Sequence, residues 1–334
     1  MTATTWTKSL VQQHAQVAVA IEIYTLPFYF TAMTSITDTT SNAYKTINSV
    51  CIEEMLHLQL AANLCLALDV NPVFTIPRYG VDLPYLKPDD PATNHYALVN
   101  ATLGAFDPIT LGTMLDIETP EEFEAIDHST PQYPYNSIGD FYDALLAGIK
   151  AVEAAQPAGT SAFGWKAGNQ QDTWAGQVSG LTAIITNVTD AATAIKTINE
   201  QGEGKAHNPV PKKPYTGSQF PIEPAYQLSQ ANTSSGAKDS IDTVDYYKIS
   251  HFGRFIDLQN AATTGTFPAV YPLKTPESTD AVAAQSALQS DFITFLANLN
   301  NVWRTGAALD FVTMPRLATD ATACWAAGVI PNWG

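Results

Sequence analysis

Two polar residues, Glu54 and His57, interrupt an apolar stretch of the sequence. In a helix, the side-chain direction rotates by about 300° around the helix axis over three residues. This carboxylate and imidazole therefore project from one face, about one turn apart. That spacing suits two ligands of one metal ion. A Glu on an apolar face is costly to bury unless it is paired or coordinated. The alternative is a buried, hydrogen-bonded Glu/His pair that only specifies packing. Glu53 projects further from the apolar stripe and is the poorer candidate.

Other parts of the chain also contain polar residues within or beside apolar helical patterns. Glu22 stands inside the most apolar stretch, where an N–H or tyrosine partner is the alternative to a metal. His251 lies at the centre of another apolar stripe, although a lone histidine there is more often a satisfied core residue. In a further segment a helical wheel places Glu200 opposite the apolar stripe and Glu203 at its margin. Glu203 is therefore the preferred candidate of the two.

The elements that must position these residues are long helices, because apolar residues recur at spacings of three and four. Pro27 is expected to bend or locally break the first one. Ser137 is expected to cap a helix, and Gly202 and Gly204 to end one. The predicted bundle helices cover about residues 4–36, 41–68, 181–203 and 243–260, and additional helices cover about 138–154, 279–304 and 311–327.

The segments between these helices are rich in proline and glycine and show little periodicity. Two of them, 69–136 and 205–240, are predicted to be long loops, and the first is expected to carry short elements that wrap the scaffold. No β-strand pattern of comparable strength occurs. The sequence therefore predicts an all-α fold: one domain over residues 1–334, built as a four-helix bundle with additional C-terminal helices and long covering loops.

Composition excludes several classes of partner. Acidic residues number 32 against 16 basic ones, which gives a formal net charge of −16 without any Lys/Arg cluster. Nucleic acid and anionic membranes are therefore not expected as partners. The apolar stretch 17–33 is interrupted by Glu22 and Pro27, so a buried core helix is expected rather than a membrane span. Three cysteines without a CxxC spacing and no recognisable signal peptide favour a cytoplasmic protein.

Several motifs occur in an order that resembles a known family. Together they span about residues 5–260, and the C-terminal helices are similar more loosely. They are AIEIYTLP at 20–27, EEMLH at 53–57 followed by AANL at 61–64, SIGDFY at 137–142, QGEG at 201–204, and Ser250-His251 followed by Arg254-Phe255. This set resembles the ferritin-like domain of the iminophenyl-pyruvate dimer synthases. The resemblance implies a bundle in which two helices each contribute one Glu and two others each contribute a Glu-x-x-His. Members of that family couple two imines of aromatic pyruvates and are longer, multidomain enzymes, so the substrate does not carry over.

One position departs from the family pattern. Lys248 stands three residues before His251, where the family has Glu, and the predicted helix places it near the inward face. Two divalent ions with three carboxylates and this lysine would leave a charge of +2, whereas one ion with Glu22, Glu54, Glu203 and Lys248 sums to zero. Uncompensated buried charge is expensive. One metal ion, or none, is therefore favoured over two. Tyr247, also inward, is a ligand, a radical site or plain core, with core the simplest reading.

Two functions are compatible with these residues. The first is a metal-dependent oxidative enzyme of secondary metabolism that acts on a small, aromatic or imine-type substrate, with iron or manganese as cofactor. The second is a non-catalytic binding or structural protein whose site has been remodelled around Lys248. The sequence favours the enzyme, with Lys248 and Tyr247 as candidate catalytic residues, and is compatible with a homo-oligomer. The expected metal ligands are Glu22, Glu54, His57, Glu203 and His251.

Overall fold

The computed structural model is helical wherever regular structure is described. It describes residues 5–80, 83–86, 101–118, 127–135, 137–164, 166–173, 183–202, 250–265, 267–275, 278–309 and 313–334. Within these ranges the β-type pairs are isolated bridges, Ile36 with Val270 and Leu86 with Tyr135. The helices are α1 Lys8–Ser35, α2 Asn42–Ala67, α3 Pro108–Ile117, α4 Ile138–Ala154, α5 Val188–Gln201, α6 His251–Thr264, α7 Thr279–Thr305 and α8 Thr313–Ala327, with a short 3-10 helix at Lys166–Asn169. The all-α prediction is confirmed.

The centre of the fold is the antiparallel pair α1 and α2, which are buried on nearly all sides. Helices α4 and α5 pack against each other, α4 also on α1 and α5 also on α2; α6 packs on α2 and α3, and the α7/α8 hairpin places α8 on α1. Both central helices are long and apolar enough to cross a membrane, but 94% of the relevant window in each is buried inside the protein. Such burial identifies them as core helices of this fold.

Helix α1 runs through Pro27 without interruption. The helix therefore has no local break at Pro27, and the alternative, a bend, stays a prediction. A proline inside a helix removes one backbone donor and crowds one carbonyl. Here the residues around it are buried against neighbouring helices, and the Thr31 hydroxyl donates to the Pro27 carbonyl at 2.7 Å. Tertiary packing holds the helix together across the proline.

Capping residues set the start of several helices, and one predicted start is wrong for that reason. Helix α5 begins at Val188 rather than near residue 181, since Asn187 is extended and its side chain accepts from Thr189 and Asp190 N–H. Helix α6 begins at His251, since Ser250 is extended and its hydroxyl oxygen accepts from Gly253 N–H, and the start predicted near residue 243 lies outside the described residues. Asn and Ser are strong N-cap residues because their side chains satisfy free amides.

Helix α3 is a short element within the segment 69–136, where long loops with short elements were predicted. Asp107 caps it, accepting from Thr110 N–H, and Pro108 occupies the first turn, where its missing N–H is harmless. The apolar positions of this short helix pack it into the core. The three cysteines, Cys51, Cys65 and Cys324, are free and buried.

Candidate metal centre

The middle of the α1/α2 pair holds three buried polar residues that face one another. Glu22 of α1 and Glu54 and His57 of α2 are each exposed by 3% or less. The Nδ1 atom of His57 lies 3.8 Å from Glu22 Oε2 and 3.9 Å from Glu54 Oε1. The sequence placed Glu54 and His57 one turn apart on one face, and the structure brings Glu22 to the same point from the neighbouring helix.

The first residue of α6 completes this group. His251 is fully buried, and its Nδ1 lies 2.9 Å from Glu54 Oε1. Its ring stacks near that of His57, with centroids 5.2 Å apart and an angle of 28° between the planes. Donor atoms of Glu54, His57 and His251 all lie within 4.8 Å of one another. Residues from the centre of α2 and the start of α6 therefore converge on one small volume.

A third carboxylate comes from Glu118, which the sequence analysis missed. Glu118 is the C-cap of α3, and its backbone N–H donates to the Met114 carbonyl. It is 4% exposed, and its Oε1 lies 3.3 Å from His251 Nδ1. A signal for it exists in the sequence: Leu111, Met114 and Leu115 precede it by seven, four and three residues, which is helical spacing.

Each of the three carboxylates accepts a hydrogen bond from a buried hydroxyl group. The Thr25 hydroxyl donates to Glu54 Oε2 at 2.7 Å, and the Tyr29 hydroxyl to Glu118 Oε1 at 2.6 Å. The Tyr142 hydroxyl of α4 donates to Glu22 Oε1. In Glu22 and Glu54 the other oxygen is the one that faces the imidazoles. The hydroxyls therefore fix how these two carboxylates are turned.

The outward nitrogen of each imidazole also has a partner. His57 Nε2 is 3.0 Å from Gln201 Oε1, at the last residue of α5. His251 Nε2 is 3.0 Å from Glu53 Oε2. Both Glu53 oxygens accept from the same terminal nitrogen of Arg254 at 2.8 Å. Each neutral ring would therefore carry its proton on Nε2 and present the Nδ1 lone pair to the carboxylates.

Burial and mutual repulsion set the charge state of the cluster. Burial raises the pKa of Glu22, and the adjacent Glu54 carboxylate raises it further. Burial lowers the pKa of His57 to about 4. Burial acts in the same direction on His251, but the Glu118 carboxylate, together with Glu53 and Glu54, raises the pKa of His251 well above its usual value. The negative charge of the cluster is therefore either reduced by protons, on His251 and on carboxyl groups such as Glu22, or balanced by a metal ion.

The donor set fits a first-row transition metal. Two imidazole nitrogens with carboxylate oxygens are the ligands that non-haem iron and manganese take in proteins. A cavity of about 20 Å³, lined by Glu22, Glu54, His57 and Glu118 among others, adjoins these atoms. That volume admits one ion or one water molecule. The ring nitrogens turned away from the cavity are hydrogen-bonded, as is usual for metal-bound histidine.

The remaining sequence predictions have mixed outcomes. Glu203, Lys248 and Tyr247 lie outside the described residues. Among the described residues, Ser250 is extended and the helix that carries His251 begins after it. Glu200 points away from the cluster, as predicted, and lies 3.8 Å from Lys196 at the surface.

Glu53, the poorer ligand candidate of the sequence analysis, is not part of this donor group, but it is buried beside it. It is 2% exposed and bonded to His251 and Arg254. Helix α2 is buried on nearly every side, so a residue off the main stripe still lies in the core.

Comparison with known proteins agrees with this architecture. The solved structure of a ferritin-like protein from Caulobacter vibrioides is 27% identical and superposes with a TM-score of 0.69, covering 99% of this chain and 100% of that one. No curated protein matched the sequence. Membership of the iminophenyl-pyruvate dimer synthases stays a prediction. A sequence model described as ferritin-like matches residues 15–260, well over half of the chain, and this protein therefore belongs to the ferritin-like family.

Proposed function

We propose that this protein is a metal-dependent oxidative enzyme that acts on a small molecule, with iron or manganese held by Glu22, Glu54, His57, His251 and Glu118. One observation carries the proposal: two imidazole Nδ1 atoms and three carboxylates converge in one buried volume, which a bound cation would compensate. Burying such a group is costly unless it is compensated.

A bound iron or manganese ion would supply redox chemistry with dioxygen that side chains alone do not perform. The protein's own residues contribute orientation and exclusion of water. Thr25, Tyr29 and Tyr142 hold the three carboxylates by hydrogen bonds. The surrounding helices leave every one of these groups at most 5% exposed. Such preorganisation in a dry site strengthens electrostatic interactions.

The compactness of the donor group favours one ion over two. The Arg254 guanidinium balances Glu53, so Glu22, Glu54 and Glu118 contribute a charge of −3 when a bound metal keeps all three ionised. One divalent ion leaves −1 and two leave +1, so the count alone is indifferent. The donor atoms of Glu54, His57 and His251 form one compact group, within 4.8 Å of one another. A single central ion matches that group.

Elemental analysis of protein purified without chelators tests the proposal. Iron or manganese should be present at close to one equivalent per chain, and protein stripped of metal should rebind ferrous iron anaerobically. Glu54→Gln should abolish tight rebinding. The matched control is Glu200→Gln, which alters a surface carboxylate on α5 and should bind as the parent does. The oxidative part is measured as dioxygen consumption by the iron-loaded protein. Absence of metal together with failure to rebind ferrous iron would remove the enzyme proposal.

A non-catalytic, ferritin-like binding or structural protein is the second candidate, and one observation favours it. The cavity at the cluster, about 20 Å³, is too small for an organic substrate. A far larger cavity of about 1510 Å³, with walls that include Tyr24, Phe74 and Tyr79, lies against other residues of α1. Helix α1 itself separates the two, since Glu22 and Thr25 face the cluster. Metal-loaded protein that consumes no dioxygen with any small aromatic substrate supports this candidate.

A further inference from the structure

The two imidazoles differ in what holds them from outside. His57 Nε2 meets Gln201 Oε1, the oxygen of a neutral amide, at 3.0 Å. His251 Nε2 meets Glu53 Oε2, the oxygen of a carboxylate, at the same distance. A hydrogen bond to an ionised acceptor is roughly twice as strong as one between neutral groups. The environment of His251 is therefore the more polarising of the two.

Arg254 keeps Glu53 in this role. The two Glu53 oxygens accept from Arg254 at 2.8 Å, and the other terminal nitrogen of Arg254 donates to Ser49 Oγ at 3.0 Å. The Arg254 guanidinium, in contact with both Glu53 oxygens, favours the ionised carboxylate. Both residues are 2% exposed. Glu53 is thus a carboxylate whose orientation is fixed by its bonds to Arg254 and His251. It immediately precedes Glu54 in the sequence.

We infer that Glu53, fixed by Arg254, is a positioning residue that makes His251 the dominant imidazole ligand of the metal, whereas Gln201 leaves His57 the weaker one. The inference rests on the proposed metal centre. A carboxylate that accepts the Nε2 proton fixes the tautomer, holds the ring plane and raises the basicity of the Nδ1 lone pair. A neutral amide performs the first two roles with much less of the third.

The test uses Zn(II) as a diamagnetic probe, titrated against a competing chelator, with protein carrying ¹⁵N-labelled histidine. Glu53→Gln keeps the side-chain size and removes the charge, and it should weaken Zn(II) binding by about 10- to 100-fold. Gln201→Leu should also weaken Zn(II) binding, but its effect should be several-fold smaller than that of Glu53→Gln. Gln201→Glu should strengthen binding, since it gives His57 the kind of acceptor that His251 has. In the zinc-bound parent, the His251 Nε2–H signal should lie further downfield than that of His57, and Glu53→Gln should remove the difference.

A second variant separates positioning from stability. Glu53→Leu with Arg254→Met replaces the buried ion pair by apolar residues of similar size, an exchange that folded proteins often tolerate. This double variant should fold, lose the downfield signal and bind Zn(II) as weakly as Glu53→Gln. Parental affinity in the double variant, or equal losses for Glu53→Gln and Gln201→Leu, would overturn the inference while leaving the metal centre intact. A parent protein that binds no metal would instead overturn the proposed function, and the inference with it.

Discussion

The metal centre is assembled from two structurally different halves. Glu22, Glu54 and His57 lie in the middle of the long helices α1 and α2. Glu118, Gln201 and His251 lie at the C-cap of α3, the last residue of α5 and the first residue of α6. The mid-helix half is positioned by continuous backbone packed on all sides. The helix-end half depends on caps and on a few side-chain bonds.

The helix ends are tied to one another as well as to the core. Phe252 N–H donates to the Gly202 carbonyl at 3.1 Å, which joins the end of α5 to the start of α6. The Glu53–Arg254 pair then joins α6 to α2. Local changes at these links should therefore displace metal ligands, whereas equivalent changes at the ends of α2 should not. The predictions below test that difference.

Removing Arg254 should have the largest effect on stability. Arg254→Met leaves the buried Glu53 carboxylate without its compensating charge, which typically costs about 3–5 kcal/mol of unfolding free energy. Chemical denaturation of metal-free protein measures it. Arg316→Met is the control, because Arg316 is 65% exposed and pairs with Asp291 at the surface. Exposed pairs contribute about 0–1 kcal/mol. Similar losses for the two variants would contradict the assigned role of the buried pair.

Glu118→Gln should weaken ferrous iron binding by at least about 10-fold, since even the loss of an outer hydrogen-bond partner has an effect of that size. The amide retains the size of the side chain and a bond with Tyr29. Anaerobic titration gives the affinity, with Glu200→Gln again as the surface control. Unchanged affinity would show that the mid-helix half binds the metal alone and that Glu118 merely packs beside it.

The sequence was informative for the mid-helix half because its helices are long. Glu22, Glu54 and His57 interrupt extended apolar helical patterns, and a wrong helix boundary does not move a residue in the centre of a helix. The same reasoning ranked Glu53 below Glu54 as a ligand but did not reveal that Glu53 is buried, since a helical wheel assumes one inward face and α2 is buried on nearly every side. In a core helix that is apolar nearly all round, the pattern does not distinguish buried polar residues from exposed ones.

The helix-end half was harder to predict because local capping interactions determine where these helices begin and end. His251 was placed inside a helix starting near residue 243, although Ser250 is a good capping residue immediately before it. Glu118 follows a ten-residue helix in a proline-rich segment, and so few turns give little periodicity to detect. Which carboxylates meet which imidazoles depends on packing between α2, α3 and α6, and one sequence does not contain that information.

Ser250→Ala should lower stability by about 1 kcal/mol, the usual loss when an N-cap hydroxyl is removed. It should also lower metal affinity, because His251 is the first residue of the helix that Ser250 caps. Ser41→Ala is the matched variant: Ser41 caps α2 and accepts from Tyr44 N–H at 3.3 Å, more than three turns before Glu54. It should lose similar stability at unchanged affinity. Equal affinity losses in both variants would show that the two halves are coupled through the whole bundle.

Gly202→Ala should have the smallest effect on stability and a selective effect on the site. A Cβ at this position would lie 3.1 Å from Glu118 Oε2 and 3.2 Å from the Ile198 carbonyl oxygen, so the carboxylate must shift slightly. The reduced entropy of the unfolded chain, worth about 0.4–1 kcal/mol, offsets part of that crowding. Stability should therefore change by less than about 0.5 kcal/mol, while metal affinity falls several-fold. At Gly168 an added Cβ would meet nothing within 4 Å, so Gly168→Ala should leave affinity unchanged. Gly202 ends α5 beside Glu118, and its carbonyl accepts a hydrogen bond from the start of α6. If the added methyl group changes metal affinity but not stability, the metal centre is sensitive to small changes at its helix ends.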